Sequence, residues 1–180
     1  MSERPRITPG GRRELGLPTW AVLRAAGRAM RTGPPNLFTT LGRHGRLFRG
    51  WLRFAGRLMP RGRLPRRDTE LVILRVAHLR GSTYEWQHHL RLGRRAGLDD
   101  ADFARVTDGP SANGWSDRET ALLTAVDELH HTGDLSDATW ERLQWFLRDP
   151  RDLIEFTLLV GHYEMLATTI AALRIQPDHG

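Results

Sequence analysis

The chain has 180 residues, no cysteine, and 27 basic against 21 acidic side chains, which give a formal net charge of +6. This length supports one sizeable hydrophobic core and leaves little room for a second. The absence of cysteine excludes disulfides, thiolate metal ligands and cysteine nucleophiles, and because every basic residue is arginine a catalytic lysine is also excluded.

The charge is unevenly distributed along the chain. Residues 1–67 hold 16 arginines against two acids, whereas residues 68–180 hold 11 arginines against 19 acids. An arginine-rich segment can bind nucleic acid or anionic lipid, but two oppositely charged segments can also pair with each other or with a neighbouring subunit. We favour this pairing, and we do not expect nucleic acid as a partner because residues 43–67 contain no recognisable recognition helix.

The sequence shows no sign of membrane insertion or secretion. No stretch approaches the roughly 20 consecutive apolar residues of a membrane span, and the N-terminus lacks the apolar segment of a secretory signal. We therefore expect a cytoplasmic protein without a membrane partner.

The N-terminal third is predicted to be an arm followed by amphipathic helices. Residues 1–18 contain three prolines and three glycines and predict a flexible or wrapping arm. Residues 19–60 predict one helix from Trp20 to the Gly33-Pro34-Pro35 breaker, then a second amphipathic segment over 37–58.

Residues 61–176 predict a helical core. Asp68 is a plausible N-cap for the very apolar helix that follows it, which closes at Gly81. The next helix opens at Ser82 and runs to Gly97, and Asp99 caps a short one after it.

The C-terminal part of this core carries the clearest helix-start signals. Ser116 with Glu119 predicts a capping box for a helix that ends at Gly133, and Ser136 starts another. Asp149-Pro150 starts a long apolar helix towards Leu173, part of which must meet another subunit or the N-terminal region. No alternating strand pattern occurs, so the predicted fold is an all-α, single-domain helical bundle.

The chemistry-bearing cluster is the segment from Ser82 to His89. On a helix, Glu85 and His89 share one face, and a carboxylate one turn from an imidazole is a sensible acid/base pair. Glu70, on the preceding helix, can supply a second carboxylate. Ser82 and Glu85 also fit a capping box, in which they only satisfy backbone N–H groups, and from spacing alone we favour that structural role.

The segment LPRRDTELVILRVAHLRGSTYEWQHHLRL, residues 64–92, is similar to the core motif of the carboxymuconolactone decarboxylase superfamily. The similarity continues through GWSDRETALLTAVDELH and LIEFTLLVGHYEMLA. In the alkylhydroperoxidase D branch, the motif places a glutamate ahead of two cysteines and a histidine. Those positions fall on Glu70, Ser82, Glu85 and His89, so the resemblance keeps the glutamate and histidine while excluding a thiol peroxidase.

The residues Tyr84, Glu85, Trp86 and His89 resemble the motif of the cysteine-poor, decarboxylase-like branch. Members of this branch are small helical proteins that assemble as trimers or hexamers. The resemblance implies catalytic residues Glu85, His89 and Glu70, and a substrate-binding edge of Ser82, Tyr84, His88 and Trp86. The implied chemistry is decarboxylation, isomerisation or lactone opening on a small carboxylated metabolite, without metal or other cofactor. Arg75 and Arg80 are candidates to bind the substrate carboxylate.

Two other functions compete with this hypothesis. The chain is alternatively a catalytically silent, oligomeric binding or scaffold member of the superfamily. The less favoured alternative is an anion or nucleic-acid binder that uses the arginine-rich N-terminal segment.

Overall fold

The computed structural model describes residues 4–29 and 34–178. They form ten helices and no strand, which confirms the all-α prediction. The helices are α1 Arg12–Leu15, α2 Leu17–Ala29, α3 Asn36–Leu41, α4 Gly45–Leu58, α5 Arg66–Leu79, α6 Thr83–Arg95, α7 Asp100–Asp108, α8 Asp117–Thr132, α9 Asp137–Phe146 and α10 Pro150–Leu173.

Two of the differences from the predicted helix boundaries concern Gly42 and Asp68. The single amphipathic segment is divided into α3 and α4 because Gly42 ends α3, at a place where a Cβ would lie 2.6 Å from the side chain of Leu15. Asp68 is not an N-cap: α5 begins two residues earlier after Pro65, and Asp68 instead accepts a 2.8 Å hydrogen bond from Arg118 Nε. The predicted end of the first helix at Gly33 lies outside the described residues.

The chain forms two compact units, of which the first comprises the described residues up to Arg57 and from Thr169 onward. Its core contains Leu15, Leu23 and Phe48, and the Phe48 ring stacks on Trp51 with centroids 5.8 Å apart. The predicted arm includes the short helix α1 and is bonded within this unit, since Arg6 donates to the carbonyl of Ala172 over 3.0 Å.

The second unit, Leu58–Thr168, is built around α5. The residues from Leu71 to Ala77 are all buried, and α5 packs against α6, α7 and α8. Burial on every side explains why this segment is apolar except for Arg75 and has no polar face of the kind a surface helix shows. The predicted start signals of α6, α7, α8 and α9 are all present at Ser82, Asp99, Ser116 and Ser136.

Helix α10 begins at Pro150, as predicted, and supplies Phe156 and Leu159 to the same core. By length and composition alone it could cross a membrane, with a mean hydropathy of 1.3 in its most apolar window. Of that window, 44% is buried inside the protein, and one helix of this kind is weak evidence for a membrane span. Its exposed apolar side chains are Ile154, Leu158 and Met165.

Candidate active site

A carboxylate–imidazole pair joins α5 to α6. Glu70 is fully buried and its Oε2 lies 2.7 Å from Nδ1 of His89, which is 4% exposed. A carboxylate oxygen can only accept, so Nδ1 carries the hydrogen and Nε2 is the nitrogen left for proton exchange. The structure thus brings together two residues that lie 19 positions apart in the sequence.

The same carboxylate is bound on its other oxygen. Arg66, one helical turn earlier in α5, places NH2 2.6 Å from Glu70 Oε1. Because Arg66 is partly exposed, the ion pair links a buried carboxylate to a side chain that reaches solvent. Arg66, Glu70 and His89 therefore form a fixed chain, and the orientation of the imidazole follows from it.

Ser82 and Glu85 do not form the capping box that their spacing allows. Ser82 is the N-cap of α6 by position, but its side chain makes no capping hydrogen bond. By contrast, the Ser116 and Glu119 side chains cap α8 reciprocally. Ser82 and Glu85 are both buried, and among the described residues neither the Ser82 hydroxyl nor either Glu85 carboxyl oxygen has a hydrogen-bond partner. The capping-box explanation of this motif is therefore wrong.

Burial changes the acidity of Glu85. Removal from water raises the pKa of its carboxyl group from the ordinary 4.5 to about 7. The negative charge of Glu164 adds to the rise, while the nearby Ser82 hydroxyl and Arg80 guanidinium oppose it. At neutral pH this carboxyl group is present in both its neutral and its ionised form.

Tyr163 on α10 lies beside these groups, although sequence analysis did not select it. Its ring meets that of His89 edge-on, with centroids 5.2 Å apart. Burial raises the pKa of the Tyr163 phenol, and the charges of Glu70 and Glu85 raise it further. Tyr163 therefore stays a neutral phenol and forms a wall near both carboxyl groups.

A second charged cluster lies near Glu85. Glu164 on α10 accepts from His130 Nδ1 at 2.7 Å and pairs with Arg80 Nε at 3.3 Å, and Arg80 also bonds the Thr168 hydroxyl. Arg80, a predicted carboxylate-binding residue, thus lies close enough to Glu85 to affect its pKa and is 34% exposed. The signal that could have identified Glu164 is its position as the only acidic residue between Phe156 and Leu173.

Arg75, the other predicted carboxylate-binding residue, has a structural role. Arg75 is buried and forms a bidentate ion pair with Asp127, with N–O distances of 2.6 and 2.7 Å. It also donates a 2.7 Å hydrogen bond to the carbonyl oxygen of Val106. Its guanidinium group is therefore occupied by partners within the protein. The expectation that Arg75 binds substrate is set aside for this reason.

The remaining predicted residues lie on different sides of α6. Tyr84 is buried, and the ring of His88 lies 5.3 Å from that of His89. Burial lowers the pKa of His88 to about 4, so this imidazole is neutral at neutral pH. Trp86 packs against the hydrophobic cluster that includes Leu71 and Phe103. Within the described part of the chain, no group of three or more histidine or acidic side chains is arranged to hold a metal ion.

Comparison with known proteins found one family model that matches part of the chain. The model of the carboxymuconolactone decarboxylase family matches residues 45–128, a range that contains every predicted site residue. No curated protein matches the chain. This match confirms the resemblance to the carboxymuconolactone decarboxylase superfamily that the sequence shows.

Solved structures show which fold surrounds this site. An uncharacterized peroxidase-related protein from Silicibacter sp. TM1040 superimposes with a TM-score of 0.82 at 13% identity, covering 98% of this chain and 95% of that one. An uncharacterized protein from Ralstonia eutropha JMP134 with an alkylhydroperoxidase AhpD core gives 0.80 at 16% identity, covering 97% and 94%. The debrominase Bmp8 in complex with 2,3,4-tribromopyrrole gives 0.76 at 15% identity, covering 98% and 93%. The chain thus has the AhpD-like helical fold.

Proposed function

We propose that this chain is a cofactor-independent acid/base enzyme that decarboxylates, isomerises or opens the lactone ring of a small carboxylated metabolite. The observation that carries this proposal is Glu85, a buried carboxyl group without a hydrogen-bond partner among the described residues and with a pKa raised to about 7. A group with a pKa near the working pH is present in both protonation states, so it can remove a proton from the substrate and also return one.

His89 is the second proton-transfer group in this proposal. Glu70 holds its Nδ1, which leaves Nε2 to exchange a proton with substrate. In isomerisation, one of Glu85 and His89 removes a proton from one carbon and the other delivers a proton to another carbon. In lactone opening, one takes the proton of the attacking water and the other protonates the ring oxygen as its bond to the carbonyl carbon breaks. In decarboxylation, the bond to the carboxylate carbon breaks, CO2 leaves, and the protonated group delivers a proton to the carbon that keeps the electron pair. Glu70 positions the imidazole by accepting the hydrogen of Nδ1.

Arg80 is the proposed anchor for the substrate carboxylate. Its guanidinium group lies near Glu85 and is partly exposed although it also contacts Glu164 and Thr168, whereas that of Arg75 is buried in its ion pair with Asp127. A guanidinium group binds a carboxylate in a fixed orientation and stabilises the negative charge that develops during decarboxylation or enolisation. Neutral Tyr163 forms the adjoining wall.

Bmp8, which has a similar fold, is a debrominase and therefore an enzyme. This similarity supports a catalytic protein over a catalytically silent one. The thiol positions of the peroxidase motif hold Ser82 and Glu85, and neither side chain can form a sulfenic acid or a disulfide. The proposed chemistry is therefore proton transfer and does not include peroxide reduction.

We also propose self-association into a trimer or hexamer through α9 and α10. These helices border a cavity of about 420 Å³ lined mainly by apolar side chains, and Trp140, Ile154 and Leu158 at its edge are 37%, 59% and 46% exposed. Apolar side chains clustered in this way favour burial against another protein surface.

The proposal can be tested first by binding. Small carboxylic acids and lactones are screened by thermal shift, each acid paired with its methyl ester, because a ligand of the folded state raises the apparent Tm. We expect acids to raise the Tm more than their esters do, and we expect Arg80→Gln to remove that difference. A panel in which acids and esters behave alike would contradict a carboxylate site.

Proton transfer is tested on the compounds that bind. In D2O, ¹H NMR follows exchange of the substrate C–H for deuterium, which reports proton removal even when no net reaction occurs. We expect exchange in the native protein, and we expect it to be lost in Glu85→Gln and His89→Ala. The exposed residues Glu141 and His131 provide matched controls, Glu141→Gln and His131→Ala, which should retain it. Binding without exchange or product would favour the silent, binding member of the family.

A further inference from the structure

The outward side of α4 carries a row of exposed arginines. Arg46, Arg49, Arg53 and Arg57 recur every three or four residues, and all four are exposed. This spacing places them on one side of the helix. The opposite side contains Phe48, which is 3% exposed and belongs to the core of the first unit.

These arginines have no acidic partner within the described chain. None of the ion pairs formed by residues 4–29 and 34–178 includes any of the four. By comparison, Arg63, Arg66, Arg67 and Arg75 each pair with at least one carboxylate. The expected charge pairing within the chain therefore occurs in the second unit and does not include α4.

Two apolar side chains border the arginine row. Leu47 is 65% exposed and Phe54 is 41% exposed, and they lie two helical turns apart on the same side of α4. A surface that only follows phosphate groups, as in non-specific nucleic-acid binding, has no need of such side chains. Arginines beside exposed leucine and phenylalanine on one helix are typical of a helix that lies at a lipid surface.

We propose that α4 binds the surface of a membrane that contains anionic phospholipids. The arginines pair with the lipid phosphates and headgroups, and Leu47 and Phe54 enter the boundary with the acyl chains. This peripheral binding needs no spanning helix. From the sequence we expected no membrane partner and favoured charge pairing over lipid for the arginine-rich segment. Peripheral binding by α4 departs from both expectations because its arginines have no acidic partner among the described residues.

The test uses the full-length protein and flotation with vesicles. We expect binding to vesicles of phosphatidylcholine with phosphatidylglycerol, little binding to phosphatidylcholine alone, and release as the salt concentration rises. Each arginine near an anionic surface contributes about fivefold in affinity, so Arg46→Gln/Arg49→Gln/Arg53→Gln should weaken binding about a hundredfold.

The control is the triple variant Arg91→Gln/Arg94→Gln/Arg95→Gln on α6, which removes the same charge from other exposed positions. Equal weakening by both triple variants would overturn the proposal, because net charge and not α4 would then be responsible. Circular dichroism and the Tm check that each variant is folded.

A second variant separates lipid from other anionic partners. Leu47→Ser/Phe54→Ser should weaken vesicle binding while leaving retention on a negatively charged ion exchanger unchanged, and Leu47→Ser alone serves if the double variant does not fold. Binding to a random DNA duplex as tight as to vesicles, and unaffected by these two changes, would overturn the proposal in favour of nucleic acid. So would a change of oligomeric mass in the α4 arginine variant without any vesicle binding by the native protein.

Discussion

Replacing Glu85 with glutamine should change how the stability of the protein depends on pH. A carboxyl group whose pKa rises on folding binds more protons in the folded than in the unfolded chain between the two pKa values, so stability falls as the pH rises through that interval. For Glu85 the interval runs from 4.5 to about 7. It corresponds to about 3 kcal/mol that the native protein has below the interval and lacks above it.

Glutamine is uncharged and has no such dependence. The free energy of unfolding of Glu85→Gln minus that of the native protein should therefore rise by about 3 kcal/mol between pH 4.5 and 8, at up to about 1.4 kcal/mol per pH unit. Taking this difference removes the contributions of His88 and His162, whose pKa values burial lowers to about 4 and which act in the opposite direction.

The assay is urea unfolding followed by tryptophan fluorescence at several pH values and one fixed protein concentration, since self-association would add to the apparent stability. The control Glu141→Gln removes an exposed carboxylate and should give a difference that does not vary with pH. A difference for Glu85→Gln that is equally flat would refute the reasoning, because Glu85 would then titrate as an ordinary exposed carboxyl group.

Further outcomes follow from other contacts. His88→Gln should reduce by about 3 kcal/mol the stability lost as the pH falls from 6.5 to about 4, measured by urea unfolding, because the native imidazole resists protonation. Arg75→Met should lower the unfolding free energy by about 3–5 kcal/mol, because it leaves the Asp127 carboxylate without its partner; a loss below 1 kcal/mol would contradict a structural ion pair. Ser116→Ala should cost about 1 kcal/mol in the same assay, as expected for a helix cap. Leu158→Glu should lower the mass measured by light scattering without changing the Tm greatly, and an unchanged oligomer would exclude this surface as the interface.

The features predicted correctly from the sequence are those with local causes. Ser116 with Glu119, and Pro150 after Asp149, act within one helical turn, and the structure has α8 and α10 where these signals place them. The division between α3 and α4 was missed because it depends on the side chain of Leu15, 27 residues before Gly42, and no local pattern reports such a contact.

At the candidate site, too, the sequence pattern does not report contacts between residues that lie far apart in the chain. Glu70 and His89 were selected first with the polar cluster and again from the family resemblance, and the structure joins them at 2.7 Å. Spacing alone favoured a cap for Ser82 and Glu85, because the pattern cannot show whether a side chain turns towards the backbone or into the interior. Tyr163 and Glu164 were missed as site residues because they come from α10, more than 70 positions after Glu85, and only packing brings them close to it.

The energetics of Glu85 argue against a purely structural role. A buried carboxyl group without hydrogen-bond partners destabilises the folded state at neutral and higher pH, whereas an apolar side chain of similar size would not. A capping role would offset this cost through backbone hydrogen bonds, but those bonds are absent. What the arrangement does provide is a carboxyl group that is half ionised near pH 7, beside an imidazole held in one orientation by Glu70. Proteins retain destabilising groups of this kind mainly at functional sites, where a titration near the working pH serves proton transfer.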